Sequence, residues 1–144
     1  MAQISRDEIK KRGFGRFLKS FKYSIDGLVY AYKYEQSMMI HCFATICVIA
    51  VNIIFHVSAW EWLLTLVCIG MVLAAELINT AVEAVVDMIT LEEHPLAKIA
   101  KDCTSAATFV LAMMALAIGV VIYVPHFIEF LETVGVLWKV DLLV

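Results

Sequence analysis

Four polar residues in an otherwise apolar run have the types and spacing to do chemistry: Glu76, Asn79, Glu83 and Asp87. At 100° per residue they fall at roughly 0°, 300°, 340° and 20° around an α-helix, one narrow stripe bordered by Thr80. Leu77, Ile78, Ala81, Val82, Ala84, Val85 and Val86 cover the other faces. A carboxylate at mid-bilayer costs about 2.5–3.5 kcal/mol on insertion scales, so three of them need an interface or partners. The ordinary explanation is a solvated inner end of a helix. It accounts for Asp87 well, Glu83 partly and Glu76 poorly. Carboxylates and an amide on one face suit a hard cation such as Mg²⁺, which takes oxygen ligands and keeps water. A carboxylate left free of metal can then serve as a general base. Lys98, Lys101, Asp102 and Ser105 follow at helical spacing. A lysine beside an acidic metal site is what phosphoryl transfer uses, because that reaction asks for positioning and charge neutralisation. Positive-inside topology alone also explains the two lysines, and more commonly.

The elements that must carry these residues follow from composition. The chain has 144 residues, of which 62% are hydrophobic and 17% charged. Soluble domains hold about 45–50% apolar and about 25% charged residues, so both values point to a membrane. The length admits three spans but no soluble catalytic domain beside them. Large kinase, Rossmann and hydrolase folds are excluded by size, nucleic-acid binding is disfavoured by a pI of 5.7, and disorder is excluded by the apolar fraction. No GxxxxGK[ST], HxExxH or GxSxG motif is present, so any nucleotide site is non-standard. Cys42, Cys47, Cys68 and Cys103 lack metal-site spacing and read as small apolar core residues.

Charge and periodicity place the segments. Residues up to Glu35 hold eight Lys and Arg against four acids, which puts this end at the cytoplasm. Phe14, Phe17, Leu18, Phe21, Ile25, Leu28, Val29 and Tyr32 recur at helical period, predicting an amphipathic surface helix over 6–34. Membrane helices are expected over 37–55, 60–89 and 105–124, the last ended by Pro125, and the polar stretch 90–102 reads as a cytoplasmic loop plus the start of the next helix. Residues 126–144 carry four charges and are expected as an interfacial helix. The fold class is therefore an all-α membrane protein in a single domain, amino terminus inside and carboxyl terminus outside.

The run ELINTAVEAVVD at 76–87, followed by EEHPLAKIAKD at 92–102, resembles the signature of the prokaryotic diacylglycerol kinase family, with the likeness extending from about Gly13 to Pro125. The resemblance implies a homotrimer of three-span protomers in the bacterial cell membrane. Its active sites would lie at subunit boundaries on the cytoplasmic side, moving the ATP γ-phosphate to a membrane lipid alcohol with Mg²⁺. It implies that Glu76 is the base that activates the lipid hydroxyl, helped by Asn79. Glu83 and Glu35 would hold Mg²⁺ against the phosphates. Arg16 and Tyr23 would approach nucleotide or lipid, Glu92 and His94 would border the nucleotide, and Lys101 and Asp102 would contact ATP. Ser105 would lie near the lipid, and Asp87 matches the motif with a less definite role. Glu93 stands where the family often has an aromatic residue. The wording HPLAKIAKD resembles the branch that phosphorylates undecaprenol, but diacylglycerol and undecaprenol both present a primary hydroxyl and the sequence does not separate them.

Two other classes compete. A small ion-coupled transporter could relay protons or cations through Glu76 and Glu83. The outer half of the second span, 63–73, is apolar except for Thr65, Cys68 and Gly70, which favours interfacial chemistry over a relay. A non-catalytic subunit could use the stripe for helix pairing.

Overall fold

The computed structural model describes residues 14–135, and these form four helices with no strand. They are α1 (Phe14–Tyr34), α2 (Gln36–Ile54), α3 (Ala59–Ile89) and α4 (Pro95–Thr133). The first eight residues of the expected surface helix, 6–13, and the last part of the tail, 136–144, lie outside the described residues.

Each junction has a local cause. α1 stops at Tyr34 because Glu35 is extended (φ −104°, ψ 116°), and that single residue also caps α2. Between α2 and α3 the chain turns through His56 in the left-handed region (φ 49°). Ser58 then starts α3 with a capping box: its hydroxyl accepts from the Glu61 N–H, and its own N–H donates to Glu61 Oε2 at 2.7 Å. α3 ends at an extended Thr90. α4 begins with His94, whose Nδ1 accepts from the Leu96 N–H at 3.2 Å, followed by Pro95 where its missing N–H costs nothing.

α4 packs along α3, α2 lies against α3 more lightly, and α1 touches both α2 and α3. α2, α3 and α4 are each long and apolar enough to cross a membrane. The residues buried within the chain are disproportionately polar: Asn52, Thr65, Glu76, Asn79, Thr80 and Thr108. Large apolar side chains such as Phe43, Ile46, Phe109 and Val121 face outward. That inversion suits a chain whose solvent is hydrocarbon, since only polar groups gain by turning inward.

α2 serves as a ruler. Its 19 residues span about 28 Å, close to the hydrocarbon thickness of about 30 Å. The 31-residue α3 and 39-residue α4 overrun that thickness. Since α3 runs antiparallel to α2, its second half reaches past the start of α2.

One expectation about the last helix is corrected. α4 starts at Pro95, within the 90–102 stretch expected to hold both the loop and the helix start, but Pro125 does not end it: α4 continues to Thr133, so the described part of the tail is helix continuous with the span. A proline removes one backbone bond, but neighbouring helices can hold a membrane helix through the break. Here the holding contacts lie just beyond Pro125. His126 Nε2 meets Glu61 Oε1 at 3.0 Å, and Phe55 packs on His126 and Phe130 at 6.2 and 6.0 Å between ring centroids.

Candidate active site

The stripe on α3 meets the start of α2 at one end of the bundle. Glu76 is only 2% exposed, and Ser37 in the first turn of α2 donates its hydroxyl to Glu76 Oε1. This bond fixes the depth of Glu76 at the beginning of α2, the edge of the apolar slab by the ruler above. Glu83 and Asp87 lie about 10 and 16 Å farther along the same helix, beyond that edge. The depth of the stripe explains how it is tolerated: one carboxylate is buried at the boundary and hydrogen-bonded, and the others emerge.

Asn79 connects the two regions. Its Nδ2 donates to Glu83 Oε1 at 3.0 Å. Its Oδ1 is buried with no hydrogen-bond partner among the described residues. An unpaired buried acceptor costs about 1–3 kcal/mol, so this oxygen is set to receive a donor from outside the chain. Thr80, beside the stripe, satisfies itself by donating to the Glu76 carbonyl at 3.0 Å.

Glu35 completes the cluster from the α1–α2 junction. Burial pushes its carboxyl above the ordinary carboxylate value, and the charges of Glu83 and then Glu76 push it the same way. Three carboxylates from two parts of the chain thus share one field, which an added cation would relieve. Among the described residues no three His, Cys, Asp or Glu side chains enclose an ion position. Mg²⁺ does not require such a cage, because it is commonly held by one or two carboxylates plus substrate phosphates. Glu35 and Glu83 fit an ion brought in with a nucleotide.

α4 supplies the cations. Lys101 Nζ meets Asp87 Oδ1 at 2.5 Å, tying α4 to the outer end of the stripe. Lys98 pairs with Asp102 one turn away on its own helix. The structure therefore gathers Glu35, Glu76, Asn79 and Glu83, and joins Asp87 to Lys101. It does not bring the rest together in one chain. Arg16 is exposed on α1, and Tyr23 lines a shallow groove with Leu77, Thr80 and Ala84 of α3. Glu92 and His94 occupy the exposed turn, and Ser105 is exposed on α4. None of Tyr23, Glu92, His94, Asp102 or Ser105 is hydrogen-bonded or ion-paired to the stripe.

Sequence reasoning overlooked Ser37, because a lone hydroxyl near the start of an apolar span carries no periodic signal. It also overlooked a polar tie at the opposite end. Asn52 Nδ2 donates to Thr65 Oγ1 at 2.8 Å, and the Tyr123 hydroxyl donates to Asn52 Oδ1 at 2.6 Å, linking α2, α3 and α4.

Residues 22–123 match the sequence profile described as prokaryotic diacylglycerol kinase. The chain is 36% identical over 110 residues to an undecaprenol kinase of Bacillus subtilis (strain 168), covering 76% of this chain and 89% of that one. It is 38% identical over 98 residues to a diacylglycerol kinase of Pseudomonas aeruginosa, covering 68% and 80%. It is 31% identical over 115 residues to a diacylglycerol kinase of Escherichia coli (strain K12), covering 80% and 94%. With three apolar helices and these bacterial relatives, the protein is a bacterial membrane lipid kinase. The chain belongs to the prokaryotic diacylglycerol kinase family.

Proposed function

We propose that the protein transfers the γ-phosphoryl group of ATP to the primary hydroxyl of a membrane lipid alcohol, diacylglycerol or undecaprenol, giving phosphatidate or undecaprenyl phosphate. The observation that carries this reading is the burial of Glu76 at the edge of the apolar slab, held by Ser37, with Glu35 and Glu83 on its outer side. A lipid hydroxyl lives at that depth, and a triphosphate lives just outside it.

In the proposed reaction Glu76 accepts the hydroxyl proton as the lipid oxygen bonds to the γ-phosphorus and the bond to the ADP oxygen breaks. Asn79 Oδ1, the buried acceptor, orients the group that enters. Mg²⁺, when bound between Glu35 and Glu83, would neutralise phosphate charge there. Lys101, shared with Asp87, neutralises the phosphates from the α4 side, and Asp102 contacts another part of ATP. Arg16 and Tyr23 reach nucleotide or lipid, Glu92 and His94 border the nucleotide, and Ser105 lies near the lipid. Within one chain several of these stand exposed and away from the stripe, which supports sites completed between protomers of a homotrimer. The basic amino-terminal segment supports a cytoplasmic position for the site.

The transporter reading gains one point, since Asn52, Thr65 and Tyr123 do place polar groups in the other half of the bundle. They bond to one another, however, and Thr65 lies about 16 Å along α3 from Glu76. That arrangement supports a structural tie rather than a relay. The deciding assay gives purified protein in lipid bilayers ATP, Mg²⁺ and either alcohol. Phosphorylated lipid is expected from one or both, and no product from either would overturn the reading.

A further inference from the structure

We propose that Ser37 is a positioning residue for the base, holding the Glu76 carboxylate at the depth and angle at which it meets the lipid hydroxyl. This rests on the reading of Glu76 as the base and adds a residue to it.

A glutamate has three side-chain torsions, and on a helix its carboxylate can sweep over several ångströms. At the edge of an apolar slab the unrestrained group would swing outward to water and the headgroups, as long polar side chains do. Glu76 instead stays 2% exposed. Among the described residues, the one side-chain hydrogen bond to its carboxylate comes from Ser37, 39 residues away on another helix. Ser37 occupies the second residue of α2, where the partial positive charge of a helix start also faces the carboxylate. Its backbone position is set by neighbours on both sides: Ala31 and Met38 are among the most buried residues of the chain, at 0% and 2% exposure. Glu35, two residues earlier, belongs to the proposed metal site. A single short stretch, 35–37, therefore places both a metal ligand and the restraint on the base.

The remaining acceptor capacity fits the chemistry. An ionised carboxylate has about four lone-pair sites on two oxygens. Ser37 occupies one on Oε1, leaving Oε2 for the proton of the lipid alcohol. The hydroxyl restrains the base without taking part in bond making.

The test is a variant series in bilayers: Ser37→Ala, Ser37→Thr, Ser37→Cys, Glu76→Asp and the double variant Ser37→Ala with Glu76→Asp. Loss of a hydrogen bond to a charged group predicts that Ser37→Ala lowers kcat by about tenfold or more. KM for ATP and for lipid should stay within about twofold, because the restraint acts on the reacting group and not on ground-state binding. Ser37→Thr retains the hydroxyl and should recover most of the lost kcat. Ser37→Cys, of nearly the same volume with a weak donor, should fall between. Aspartate is one methylene shorter and withdraws from Ser37, so adding Ser37→Ala to Glu76→Asp should cost less than about twofold. Native kcat in Ser37→Ala, or an equal loss in both backgrounds, overturns the proposal, the second by marking a packing effect. Glu76→Gln checks the underlying reading separately: if it turns over normally, the base assignment fails whatever Ser37 does.

Discussion

Replacing Glu76 by glutamine isolates the proton-accepting step with little change in shape. The side chain is nearly inaccessible and its carboxylate receives a hydroxyl from Ser37. Glutamine keeps a carbonyl oxygen for that hydroxyl, so the contact between α2 and α3 survives. What is lost is the ability to take the lipid proton. General-base catalysis contributes about 10²–10⁴ in rate, equivalent to about 2.7–5.4 kcal/mol of barrier at 1.36 kcal/mol per decade. The variant should lose that much kcat. ATP affinity should change by less than about threefold, since the proposed phosphate contacts come from Glu35, Glu83 and Lys101. Thermal stability without metal should hold or rise, because one of three mutually repelling carboxylates is removed. Turnover is followed as labelled phosphate entering lipid, ATP binding by titration of the same preparation, and stability by thermal unfolding. Turnover within threefold of native, or a parallel loss of ATP binding, would refute the assignment.

Further expectations concern the metal, the phosphates and the scaffold. Glu83→Gln should raise the Mg²⁺ needed for half-maximal rate at least tenfold; an unchanged Mg²⁺ profile removes Glu83 from the metal site. Because the Glu35 carboxyl is raised in the fold, the folded chain binds a proton that the unfolded chain releases, and metal-free stability falls as pH rises through that titration. Protons and Mg²⁺ then compete, so half-saturating Mg²⁺ should climb on acidification at a pH above the ordinary carboxylate range, and Glu35→Gln should flatten that dependence. Lys101→Met breaks a half-exposed pair with Asp87 that solvent screens, so stability should barely move while KM for ATP rises; an unchanged KM would take Lys101 out of the phosphate site. Tyr123→Phe leaves Asn52 Oδ1, on a residue 1% exposed, without its donor, and should cost about 1–3 kcal/mol of stability with kcat intact. Native stability in that variant would show that the tie contributes nothing.

The sequence by itself determined the spans and the stripe. Apolar runs of membrane length and a polar repeat at helical period are properties of neighbours along the chain. The same holds for the α3 boundaries, written in the Ser58–Glu61 capping pair and the polar turn after Ile89. The sequence also carried the family, because the motif that resembles it lies in two nearby runs, 76–87 and 92–102. It misjudged Pro125, where the local rule that proline ends a helix yields to contacts from Glu61 and Phe55, residues far away in the chain. Only the tertiary structure decided which polar groups meet. Ser37 with Glu76, Asn52 with Thr65 and Tyr123, and Lys101 with Asp87 are pairings between helices. Their existence depends on helix register and rotation, which side-chain packing sets and which no spacing within one helix encodes.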